Sequence, residues 1–220
     1  MASLTVGGHT LTLLPEKAAF LDEFKTLLVA DAHIGKAVSF RRWGVPVPRG
    51  TTAETLGVLG ALTARTGATR VVFLGDFLHS ARAHARSTID TVVHWREAHP
   101  DLHLTLVRGN HDARAGDPPA ALRIEVVDEP LRLGGLALCH HPRPHHGRYA
   151  LAGHLHPCVS VGGRTFDRLR LPCFHFGPEV GVLPAFGSFT GMHPIEPRAG
   201  DRIFPIADDV VRELPGLPVP

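Results

Sequence analysis

Short apolar runs broken by glycine and polar residues dominate the first third of the chain. Residues 9–14, 18–21 and 26–30 each read as strands, and the last of them ends at Asp31. Thr51-Thr52-Ala53-Glu54, followed by Leu56, Leu59 and Leu62, predicts an N-capped amphipathic helix. Residues 70–74, apolar from Val71 onward, read as a buried strand that runs into Gly75-Asp76. Ile89, Val92, Val93 and Trp95 make the apolar side of a second helix over residues 86–98, and a strand over 102–107 leads to Gly109-Asn110. From Ile124 the pattern changes to consecutive short strands separated by Pro and Gly, among them residues 136–139, 149–152 and 168–176. The order β-α-β-α-β and then mostly β predicts an α/β (α+β) fold. Two mixed β-sheets would pack face to face with helices outside, in a single domain over residues 1–220. The polar clusters follow strands, so they are expected to converge at one edge of the sandwich.

Composition narrows the setting. A content of 44% hydrophobic and 20% charged residues is that of an ordinary globular protein. No apolar run reaches the ~18 residues of a membrane helix. The opening Met1-Ala2-Ser3-Leu4-Thr5-Val6-Gly7-Gly8 has neither a basic start nor a signal-like core, so a cytoplasmic location is expected. Cys139, Cys158 and Cys173 are odd in number and scattered, which argues against a disulfide framework and for reduced, partly buried thiols. A net charge of +2 neither demands nor excludes a nucleic-acid partner. Arginine outnumbers lysine 20 to 3, a bias read as codon usage rather than selection for phosphate binding.

Five motifs then fall in a fixed order: Asp31-Ala32-His33, Gly75-Asp76-Phe77-Leu78-His79, Gly109-Asn110-His111-Asp112, Cys139-His140 and Gly153-His154-Leu155-His156. They hold six of the sixteen histidines. Carboxylates, a carboxamide and imidazoles in this number suffice to hold two metal ions about 3.5–4 Å apart. One anionic ligand must bridge such a pair, and Asp76 suits that place because Gly75 permits close backbone approach. Mixed nitrogen and oxygen ligation suits manganese, iron or zinc better than magnesium or calcium. Two such ions polarise a phosphoryl oxygen and lower the pKa of a bound water, so the chemistry in view is hydrolysis of a phosphate ester. His111, beside Asn110, is not needed as a ligand and is expected to stabilise the transition state or protonate the leaving oxygen. Of the adjacent His140 and His141, one is expected to ligate. Asp112 reads as structural and Cys139 as packing.

Basic residues gather near these motifs. Lys36, Arg41, Arg42 and Arg49 follow the first, Arg82 and Arg86 the second, and Arg143, His145, His146 and Arg148 lie between the last two. On loops bordering the metal edge they would line a phosphate track; the alternative is solvated surface charge, preferred for Arg86. Trp43 is expected to pack under the loop of residues 46–48, the alternative being a stack on a base.

The ordered motifs resemble the calcineurin-like metallophosphoesterase superfamily. The resemblance implies a four-layer sandwich, with Asp31, His33, Asp76 and His156 holding one divalent ion and Asp76, Asn110, His140 and His154 the other. It also places His79 behind the ligands, near His111. The superfamily usually carries glycine where His141 stands, which keeps His141 open as the ligand. Gly75-Asp76-Phe77-Leu78-His79 has the nuclease-type Gly-Asp-x-x-His form, not the Gly-Asp-x-Val-Asp-Arg-Gly of phosphoprotein phosphatases. Residues 30–37, 40–48, 147–157 and 168–174 are further similar to the bacterial DNA-ligase-associated metallophosphoesterases, regarded as DNA-repair endonucleases. That similarity runs from about Leu11 to Phe189. It implies a manganese-dependent phosphodiesterase or endonuclease acting on DNA, linked in function to a DNA ligase and a helicase. Two other expectations compete: a small-molecule phosphatase or cyclic-nucleotide phosphodiesterase with the same chemistry, and a non-catalytic scaffold, against which the intact motifs stand.

Overall fold

The computed structural model describes residues 1–48, 50–162 and 169–215. Arg49 and Arg168, named above, lie outside the described residues. Strands β1 (Ala2–Val6), β2 (His9–Leu14), β3 (Ala18–Leu21) and β4 (Thr26–Val29) form an antiparallel meander. The chain then passes through helices α1 (Lys36–Arg42) and α2 (Thr51–Thr66) to β5 (Arg70–Leu74), through α3 (Arg86–Glu97) to β6 (His103–Val107), and through α4 (Asn110–Ala115) to β7 (Ile124–Val127). Strands β4 to β7 pair in parallel and complete a seven-stranded mixed sheet in the order β1 to β7.

The remaining strands form a second mixed sheet: β8 (Leu131–Leu133), β9 (Leu136–Leu138), β10 (Tyr149–Ala152), β11 (Pro157–Val161), β12 (Leu169–Phe176), β13 (Val180–Val182), β14 (His193–Pro194), β15 (Arg202–Ala207) and β16 (Val210–Val211). Its order is β14-β11-β12-β13-β10-β9-β8, with β15 on β12 and β16 on β15. Two mixed sheets flanked by a few helices make the α/β sandwich expected from the sequence. Among the described residues the α-helices all come from residues 36–115. No helix among the described residues is long and apolar enough to cross a membrane.

The central strands are mostly apolar and buried at nearly every position because both of their faces are covered. Leu27, Val29, Val71, Phe73, Leu104 and Leu106 point toward Leu56, Leu59 and Leu62 of α2 and Val92 and Trp95 of α3. Their alternates, Leu28, Val72, Leu74 and Val107, point the other way, into the core shared with Leu138, Leu151, Phe174 and Phe204 of the second sheet. The start of α2 differs from expectation. Gly50, not a threonine, is the N-cap, and no side chain caps the helix. Thr55 Oγ1 turns back to donate to the Thr51 carbonyl instead. The far end stops at Gly67, whose φ of 66° is the left-handed conformation that ends helices. The three cysteines are fully buried and unpaired.

Parallel pairing decides where the motifs go. β4, β5 and β6 run side by side, so Asp31, Asp76 and Asn110 all leave the same edge of the first sheet. β9 and β10 are parallel too and deliver His140 and His154 from the second sheet. The sheets are tied at this edge by Phe186 N–H, which follows β13 and donates to the Ala30 carbonyl at the end of β4 (2.8 Å).

Candidate metal centre

Seven motif side chains meet where these strands end. Asn110 Oδ1 lies 2.9 Å from His140 Nε2, His154 Nδ1 lies 3.1 Å from it, and Asp76 Oδ1 3.5 Å. Alongside, His156 Nε2 lies 3.4 Å from His33 Nε2 and 3.5 Å from Asp31 Oδ1. Ligand atoms of Asp31, Asp76 and His140 lie within 4.8 Å of one another and join the two groups.

The proton positions implied by the surrounding carbonyls matter most. His140 Nδ1–H donates to the Leu74 carbonyl at 3.0 Å, and His156 Nδ1–H donates to the Gly191 carbonyl at 3.1 Å. Each ring therefore turns a bare Nε2 lone pair inward, the tautomer that outer partners impose on metal-binding imidazoles. These lone pairs face other acceptors, Asn110 Oδ1 in one group and Asp31 Oδ1 in the other. Asp31 is fully buried, and its Oδ1 has no hydrogen-bond partner. Lone pairs gathered around a buried, orphaned carboxylate oxygen repel unless cations lie among them. Burial lowers the pKa of His33, His140 and His154, which keeps those rings neutral and able to donate electron pairs. Burial, and after it the neighbouring Asp31 carboxylate, raises that of Asp76. The donor set fits divalent metal.

The backbone is strained to make this arrangement. Asp31, His33, Asp76, His154 and His156 all have positive φ, between 47° and 72°. The left-handed region costs an L-residue roughly 1–3 kcal/mol, and such strain collects at functional sites. Close approach also matters. A Cβ on Gly109 would stand 2.3 Å from Asp76 Oδ1, and one on Gly75 would stand 2.1 Å from His140 Nδ1.

The surrounding residues fall into clear places. His111 Nδ1–H donates to the His79 carbonyl at 2.6 Å, and its Nε2 stands 3.9 Å from Asp76 Oδ2. Its ring stacks on that of His79 at 5.1 Å. Burial first, then Lys36 and His111, lowers the His79 pKa to about 4. Asp112 accepts from Leu78 N–H (2.9 Å) and Gly109 N–H (3.0 Å), so it ties two motif loops together, as its structural reading expects.

Glu129 was not singled out in the sequence. It accepts from the backbone N–H groups of His140 (2.8 Å) and His141 (3.0 Å), the His141 ring (3.0 Å) and Arg143 (2.8 Å). It thereby holds the loop that aims His140 at Asn110, while His141 Nδ1 turns to the carboxylate. No local pattern marks Glu129, because its partners arrive from 11 to 14 residues away.

Three expectations about the flanking residues need correction. Lys36, Arg41 and Arg42 lie on α1 rather than on a loop, because the chain after His33 turns straight into helix. Trp43 does not pack under residues 46–48: it is 62% exposed. Arg148 precedes β10, whose other end carries His154, and its guanidinium is occupied by the Gly134 carbonyl. The strand's length separates it from the centre. Arg86 is an exposed surface charge facing Asp90 at 3.6 Å, as expected.

A sandwich of two mixed sheets with this donor array at its strand ends defines a metallophosphoesterase. Comparison with solved structures agrees. The crystal structure of nuclease MPE from Pseudomonas putida matches with a TM-score of 0.86 and 43% identity, covering 97% of this chain and 99% of that one. The chain belongs to that metallophosphoesterase family, whose chemistry is hydrolysis of phosphoester bonds. Two more remote structures also match. YfcE, a phosphoesterase from Escherichia coli, has a TM-score of 0.40 and 14% identity over 84% of this chain and 90% of that one. A phosphoesterase-like protein from Streptococcus pneumoniae has a TM-score of 0.33 and 13% identity over 86% of each chain. No protein-family model matches the sequence, and comparison with curated proteins gave no significant match.

Metal binding has a consequence separable from activity. An ion that binds only the folded chain, at about 100 times its Kd, stabilises it by about 2.7 kcal/mol. For a chain of this size that is a rise in Tm of about 5–10 °C. Thermal melts of chelated protein titrated with manganese, iron and zinc should show it, and a Tm that ignores all three would contradict the assignment.

Proposed function

We propose that this protein is a two-metal phosphodiesterase that cleaves DNA, with Asp31, His33, Asp76 and His156 holding one divalent ion and Asp76, Asn110, His140 and His154 the other. The observation that carries the reading is the inward-facing set of lone pairs at the strand ends, in a chain 43% identical to a nuclease. The bound ions would supply an activated water and neutralise charge at the phosphoryl oxygens. The chain's own residues do the rest. Asp31 and Asp76 bring the anionic charge that two cations require. Leu74, Gly191 and Glu129 hold the imidazoles in place, and His111 acts on the reacting phosphate. The ligand chemistry favours manganese, iron or zinc over magnesium or calcium, and the family branch favours manganese among them. A cytoplasmic role in DNA repair beside a ligase and a helicase rests on that branch alone.

The DNA is held by its backbone, since no helix among the described residues is built to read a major groove. Arg41 and Arg42 are both exposed at the end of α1, the helix that follows His33. Affinity for single-stranded DNA should fall with salt by about 0.7 log units per log salt for each phosphate contact. Arg41→Gln with Arg42→Gln should flatten the slope by about 1.4 and spare hydrolysis of a nitrophenyl phosphodiester. The decisive experiment assays single-stranded DNA, duplex DNA, a cyclic nucleotide and the nitrophenyl diester side by side in each metal. Turnover of the cyclic nucleotide without DNA cleavage would transfer the chemistry to a small-molecule substrate.

A further inference from the structure

The rings of the metal centre continue outward as a path of aromatic side chains. His33 and His111 each lie about one ring's contact from His79, with centroids 5.3 and 5.1 Å away. Phe40 lies 6.4 Å beyond His79, and Trp43 lies 5.8 Å beyond Phe40. Exposure rises along the path: His33 is buried, Phe40 half-buried and Trp43 62% exposed. Phe40 and Trp43 are three residues apart at the end of α1, so both rings point from one face of that turn.

Cations line the same path. The Arg82 guanidinium stands 5.9 Å from the Trp43 ring centre, and Lys36 Nζ 5.8 Å from that of Phe40. Other exposed apolar side chains collect at this edge as well. Leu155 lies between two of the site's imidazoles, and Phe189 lines a cleft with His33 and Lys36. Large exposed apolar surface gathered at one place marks a binding site.

The ligand that matches is one with a phosphate and a flat π-face a short distance away. An indole left in water beside a guanidinium, with an ammonium further along the same path, is the arrangement on which unstacked nucleobases sit in strand-binding proteins, with cations tracking the backbone. We propose that Trp43 is a stacking platform for a nucleobase next to the scissile phosphate. Arg82 orients the indole, and Phe40 supports it from the protein side. The proposal rests on the nuclease reading above and assigns a specificity-determining residue within it.

The test crosses the protein with the base. Wild type, Trp43→Ala and Trp43→Phe, each with metal bound, are assayed on three substrates: a short single-stranded oligonucleotide, the same strand with abasic sugars around the cleavage position, and a nitrophenyl phosphodiester. Losing one stacked base weakens binding about 5- to 150-fold. Trp43→Ala should raise KM on the intact strand by that factor, leave kcat close to wild type, and change neither the abasic strand nor the diester. Trp43→Phe should retain most of the binding. Fluorescence gives a readout without turnover, because Trp43 and the buried Trp95 are the only tryptophans. The intact strand should quench the indole signal and the abasic strand should not. Equal effects on intact and abasic strands, or loss on the diester as well, would overturn the proposal. A wild type that hydrolyses the diester but neither strand would remove the nuclease reading and this proposal with it.

Discussion

Asp76→Ala is expected to empty the centre of metal and remove essentially all hydrolysis. The carboxylate is only 2% exposed, and its Oδ1 accepts the His111 N–H at 2.8 Å while standing 3.5 Å from His140 Nε2. One side chain thus holds the loop that starts α4 and faces the imidazole of the second sheet. Without it, Asp31 is the one carboxylate left at the ligand positions, and two dications at short range repel strongly without an anion between them. Metal analysis of the purified variant should find neither ion, and the manganese-dependent rise in Tm should disappear. A variant that bound two ions and turned over substrate would show that Asp76 does not bridge.

His111→Ala should behave differently. Metal content should stay near normal, because the two proposed ligand sets are complete without the ring, although its donor nitrogen lies within 4.8 Å of those of His33 and His79. Turnover should fall by about 10²–10⁴, the range of a positioned acid–base group. Because Nδ1–H is committed to the His79 carbonyl, Nε2, the nitrogen facing the centre, is the atom through which the ring would pass a proton. The loss should be larger for an alkoxide leaving group, as in DNA, than for nitrophenolate, which departs without a proton. Equal losses on both would leave the ring an electrostatic role in place of acid catalysis.

Much of the fold was legible because hydrophobic periodicity reports burial directly. The apolar run that follows Arg70, the apolar positions within 102–107 and the leucine spacing of α2 each landed within a residue or two of the observed element. Two features were not. Lys36–Arg42 carries no strong apolar stripe, since it buries only Ala37 and Ser39, so the sequence offered no reason to place a helix there. Trp43 was assigned to packing from the usual fate of large apolar residues. The fold instead leaves it 62% exposed beside the Arg82 guanidinium.

What the sequence determined by itself was the order of chemistry-bearing residues and the strands that precede them. Once Asp31, Asp76, Asn110, His140 and His154 each follow a buried strand, parallel pairing must bring them to one edge. Tertiary structure alone decided which atoms face each other. The proton on His140 is placed by the Leu74 carbonyl and that on His156 by the Gly191 carbonyl, 66 and 35 residues away. The loop that carries His140 and His141 is held by Glu129, 11 and 12 residues away. Left-handed φ at five of the seven candidate ligands is likewise held by surrounding contacts, because none of those residues prefers it alone. Such choices depend on backbone groups that every residue carries, so side-chain identity leaves no trace of them in the sequence.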